Sequence, residues 1–104
     1  MKKISLPEFY KQYHNSYKEI IFSSENQQDE VGSTICADFA FTKMTISYNP
    51  NVVFLADGDN SLKFKKVKYV LVREEPCILG SVLTLVCGDS ESQLNDIGYT
   101  IVVR

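Results

Sequence analysis

The residues with the most chemistry to offer in this 104-residue chain are one histidine, three cysteines and a strip of lysines. With a single imidazole, any Ser-His-Asp or Cys-His mechanism has to pass through His14, and a site built from several histidines is excluded. His14 falls beside Tyr10 and Tyr17 at the border of an aromatic stripe, where a histidine hydrogen-bonded along a packing seam is expected. Cys36, Cys77 and Cys87 are odd in number, and no two have the spacing of a zinc knuckle or a redox Cys-x-x-Cys. A reducing compartment, the cytoplasm, is the simpler expectation. Cys77 and Cys87 flank the most apolar stretch and read as small core hydrophobes.

Lys63, Lys65, Lys66 and Lys68 are interleaved with Phe64 and Tyr69, and Arg73 follows. Alternating lysines on an exposed strand can follow a phosphate backbone, with a tyrosine stacking on a base. They also guard sheet edges against pairing with other chains, and the aromatic residues here alternate away from them. Asp57-Gly58-Asp59-Asn60-Ser61 opens like a calcium loop, but Leu62 stands where the loop needs glycine and Lys68 where it needs glutamate. A hairpin turn is the better reading. Glu74-Glu75 and the Asp57/Asp59 pair fall at turns, where water keeps carboxylates ordinary, and the five glycines form no phosphate-binding pattern. No catalytic, cofactor or metal-ligating residue is assigned.

These side chains have to be held by one helix and a set of strands. Ser5-Leu6-Pro7-Glu8 has capping-box spacing and starts a helix. Leu6, Phe9, Tyr10, Tyr13, Tyr17, Ile20 and Ile21 then share one face at helical period, which predicts a helix running to near Ile21. A polar connection follows over residues 23–33. From Thr34 the period becomes two: Ile35, Ala37, Phe39 and Phe41 alternate, and after a switch of parity near Thr42-Lys43 so do Met44, Ile46 and Tyr48. A second switch, at Lys65-Lys66, separates Leu62 and Phe64 from Val67, Tyr69 and Leu71. Each switch predicts a bulge or corner. Asn49-Pro50-Asn51 is a turn, and Val52 to Ala56, Val82 to Cys87 and Tyr99 to Val103 are the remaining strands.

The expected fold is therefore α+β: one N-terminal amphipathic helix packed on a curved, mainly antiparallel sheet or partly open barrel of five to six short strands, in a single domain spanning residues 1–104. Net charge is −2 overall, and residues 23–61 carry −5 while residues 62–75 carry +3. This balance argues against a bulk-basic nucleic-acid binder, and no apolar run approaches the roughly 20 residues of a membrane helix. Met1-Lys2-Lys3 resembles the start of a leader, but Pro7, Glu8 and Lys11 interrupt the apolar run it would need.

The inventory favours a non-catalytic protein-interaction domain, with a homodimer as one form. Its working surface is an exposed strand edge or the aromatic border of Tyr10, Tyr13 and Tyr17. The alternative is a regulator of phage or mobile-element type. It would bind nucleic acid through the lysine strip, or block a nucleic-acid-handling complex by offering the acidic segment as a phosphate mimic.

Overall fold

A short strand, β1 (Lys2–Ile4), precedes the helix, α1 (Leu6–Tyr13), in a computed structural model that describes residues 1–15, 19–23, 27–28, 34–35, 38–75, 80–89 and 96–104. The helix starts at its sequence signal. Ser5 is extended, its hydroxyl accepts the Glu8 N–H at 3.4 Å, and Pro7 occupies the first turn, where no backbone donor is required. Leu6, Phe9 and Tyr13 are buried, while Tyr10, Lys11 and Gln12 face solvent. Phe9 is fully buried, which stabilises the fold by about 2–3 kcal/mol.

The far end of the helix corrects the sequence reading. α1 stops after eight residues instead of continuing to Ile21. The His14 N–H donates to the Tyr10 carbonyl at 3.0 Å, and Asn15 adopts the left-handed conformation at φ 57°, which ends a helix and which asparagine tolerates. Ile20 and Ile21 fit a helical stripe by spacing, but β-branched residues fit extended backbone at least as well, and strands available on both sides decide the outcome. Tyr17, Cys36 and Cys77 lie outside the described residues, as do Ala37 and most of the connection read at 23–33.

Ten strands follow the helix: β2 (Ile20–Ser23), β3 (Gln27–Gln28), β4 (Thr34–Ile35), β5 (Asp38–Phe41), β6 (Lys43–Ser47), β7 (Val52–Asp57), β8 (Asn60–Lys65), β9 (Val67–Glu75), β10 (Gly80–Cys87) and β11 (Ile97–Val103). They make a six-stranded sheet in the order β1-β9-β10-β11-β2-β5, a three-stranded sheet β6-β7-β8 and the two-residue ladder β3-β4. Every pairing is antiparallel. The count exceeds five to six for two reasons. β1, β2 and β3 arise where the sequence pattern suggested a leader-like start, a helix and a loop. In addition, the stretch read as one strand from Ile35 to Phe41 supplies both β4 and β5, which belong to different sheets, and the stretch from Leu62 supplies both β8 and β9.

Corners form at the parity switches. β5 runs into β6 through Thr42, and β8 runs into β9 through Lys66; each path leaves one sheet and enters the other. The two sheets are joined by these shared paths, yet among the described residues the hydrogen bonding does not close them into a barrel. Lys66 takes the left-handed conformation at φ 58°. Just beyond it, the β9–β10 register slips between Val86 and Cys87, which leaves Lys68 as the extra residue of a bulge and lets Val67 and Val70 both enter the core. The Asp57–Asn60 pair closes a two-residue hairpin loop in which Gly58 supplies the positive φ of 58°.

Candidate functional site

An open sheet edge presents unpaired N–H and C=O groups, so the treatment of each edge shows where another chain is excluded or admitted. Four edges matter here: β1 and β5 in the larger sheet, β6 and β8 in the smaller.

The β6 edge is covered by the end of α1. The Asn15 N–H donates to the Met44 carbonyl at 3.0 Å, and His14 Nδ1 accepts the Ile46 N–H at 3.0 Å. These are the two bonds a neighbouring strand would make at that position, so the His14-Asn15 pair acts as a two-residue substitute for a strand. Because Nδ1 accepts, a neutral ring carries its hydrogen on Nε2, which lies 3.1 Å from the Asn15 side-chain amide. Tyr10 stacks on the same imidazole at 4.2 Å between centroids and meets Tyr48 edge-on at 5.7 Å. His14 thus sits at a packing seam with Nδ1 committed to the backbone of β6. Of the tyrosine border, Tyr10 is at the surface and Tyr13 is buried against Phe9.

The β1 and β8 edges carry lysines. Lys2 and Lys3 lie on β1, with Lys3 held over the Tyr69 ring at 4.1 Å, and exposed Lys63 and Lys65 lie on β8. The lysine strip does not form one surface. Lys66 sits at the corner and pairs with Asp89, while the bulge directs Lys68 onto both oxygens of Asp96 at 3.0–3.1 Å. The Lys68 and Asp96 side chains are only 22% and 11% exposed. Two of the four strip cations are therefore matched by carboxylates of this chain. Gly88 makes room for the second pair, since a Cβ there would collide with Asp96 Oδ1.

β5 has no lysine and, among the described residues, no cap. The Arg104 N–H donates to the Glu19 carbonyl at 3.0 Å, and this bond fixes the phase of the ladders that follow. Ile21 faces β11, Ile20 and Phe22 face β5, and their partners Phe41 and Phe39 point their backbone groups back to β2. The N–H and C=O of Ala40 and of Asp38 then point outward. Past the corner, the Thr42 N–H donates to the Ala56 carbonyl on β7 at 3.1 Å. One side of this path is thus paired with β7 after Thr42 and, among the described residues, unpaired before it.

A cleft of about 510 Å³ opens at that divergence, lined by Phe39, Ala40, Phe41, Asn60 and Ser61. Phe39 is 50% exposed, although it shares its parity with buried Phe41. Its ring starts an aromatic series running inward: Phe39 to Phe22 at 6.5 Å, Phe22 to Phe64 at 5.6 Å and Phe64 to Tyr99 at 5.2 Å. Asp57, paired with Asn60 across the hairpin, accepts from the Thr42 hydroxyl at 3.4 Å, and Asp59 lies in the exposed turn next to Asn60. The sequence pattern placed Phe39 among inward residues and missed this site. The one local signal is that Asp38-Phe39-Ala40-Phe41 contains no lysine or proline.

Cys87 is a buried free thiol, and burial first, with the nearby Asp96 charge second, pushes it above the ordinary cysteine range. No protein-family model, curated protein or solved structure matches the chain.

Proposed function

We propose that this protein is a non-catalytic interaction domain that takes up an extended segment of another protein on the β5 edge. In this reading the helix is the fixed part. Its amphipathic face seats Leu6, Phe9 and Tyr13 on a curved double sheet, and its C-terminal residues seal β6. One observation carries the reading: among the four edges of the two larger sheets, β5 alone is neither capped nor marked with lysine in the described residues, and it borders a cleft with a half-exposed phenylalanine. The commitment of His14 Nδ1 to the Ile46 N–H and the raised Cys87 thiol favour an interaction role over nucleophilic or acid-base chemistry. The internal pairing of Lys66 and Lys68 weighs against the lysine strip as a phosphate-binding track.

The homodimeric form of this reading pairs β5 of two copies. Size-exclusion chromatography with light scattering tests it, and a strict monomer at high concentration removes that form. The general reading is tested by Ala40→Pro, which deletes the outward donor while leaving the bonds of Phe39 and Phe41 to β2 in place. It predicts unchanged stability and a lost partner; a bound partner that tolerates Ala40→Pro and Ala40→Lys alike defeats it.

A further inference from the structure

Resting on the β5 reading, we propose that the segment accepted there is a basic extended strand, with an apolar side chain entering the cleft beside Phe39 and lysine or arginine side chains meeting Asp57 and Asp59. The backbone sets the shape of the guest. Ala40 and Asp38 offer outward N–H and C=O groups, whereas the Thr42 donor is already taken by Ala56, so the guest pairs along the first half of the path and stops at the corner. On its other side the guest faces Asn60 and Ser61 at the base of the hairpin loop.

Charge sets the composition. Asp57 is paired with the lining residue Asn60 across the hairpin and Asp59 stands in the exposed turn, within a segment of net charge −5. The nearest cations along the chain, Lys43 and Lys63, stand beyond the corner and two residues down β8. A second copy offering its own β5 brings its Asp57 and Asp59 toward these two, and like charges brought together are destabilising. A basic strand gains from the same arrangement and is steered toward it.

The test is a titration of the isotopically labelled full chain, followed by amide chemical shifts, with short capped peptides at low and high salt. One peptide alternates valine with lysine, a second alternates valine with glutamate, and a third is the lysine peptide methylated on its backbone nitrogens. The lysine peptide is expected to shift the amides of residues 38–42 and 60–61. It should bind about tenfold more tightly than the glutamate peptide at low salt, and lose that margin in salt and in Asp57→Asn/Asp59→Asn. The methylated peptide should not bind. Equal affinity of the lysine and glutamate peptides, both abolished by methylation and by Ala40→Pro, overturns the basic guest while leaving strand addition intact. Binding that survives methylation, or no shift at β5 with any peptide, overturns strand addition and this inference together.

Discussion

His14 takes the place of a strand carbonyl beside Ile46, with Nδ1 3.0 Å from the backbone nitrogen of Ile46 and accepting its hydrogen. The bond spans 32 residues of sequence and joins the end of the helix to a strand edge, so it serves both packing and edge protection. Replacing His14 with alanine leaves a part-buried N–H without its partner and uncovers the β6 edge. The expected loss is about 1–3 kcal/mol in urea unfolding, with an unchanged slope. Concentration-dependent association should appear by light scattering. A variant that is as stable and as monomeric as the parent removes the capping role.

Gly88 and Asp96 form a second coupled pair. The Asp96 carboxylate occupies the space that a Gly88 side chain would need, and it is held there by Lys68. Gly88→Ala is expected to displace the carboxylate and destabilise by about 1–3 kcal/mol, similar to Asp96→Ala. Because both act through one ion pair, the double variant should lose clearly less than the two single losses combined. Additive losses in a double-mutant cycle would show that Gly88 matters for another reason.

How much of this was legible beforehand differs between local and long-range features. Ser5 and Glu8 mark the helix start because a cap is made within four residues, and Thr42-Lys43 and Lys65-Lys66 mark the corners because a bent strand must change the parity of its buried side chains. The helix end was not legible: Ile20 and Ile21 satisfy a helical stripe and a strand equally, and β11 and β5, distant in sequence, choose between them. The same limit hid the candidate site. Phe39 alternates with Phe41 as a core residue would, and only the position of β5 at the end of a six-strand order leaves its ring half exposed. The lysine strip was visible as composition, but the bulge that turns Lys68 toward Asp96 is a property of the β9–β10 register.

Cys87 gives a pH-dependent test. Burial and Asp96 hold its folded-state pKa above the ordinary thiol value of about 9.0, so the unfolded chain releases this proton first as pH rises. Its contribution to stability is complete below about pH 9 and is lost as pH climbs toward the folded-state value. The difference in unfolding free energy between the parent and Cys87→Ala should therefore be flat from neutral pH to about 8.5 and shrink above it. A difference that grows with alkalinity contradicts the assignment.

Lys66 offers the sharpest test of the corner. A lysine at φ 58° pays a steric penalty of about 1 kcal/mol that glycine does not, and its ion pair with Asp89 is exposed and worth little. Lys66→Gly is expected to unfold at equal or higher urea concentration than the parent, despite losing a charge from the strip. Lys66→Val sets a β-branched side chain in the left-handed region and should cost about 1–2 kcal/mol more than glycine at the same site. If valine and glycine are equally stable there, the left-handed corner is not what turns β8 into β9, and the two halves of that path must be joined by some other bend.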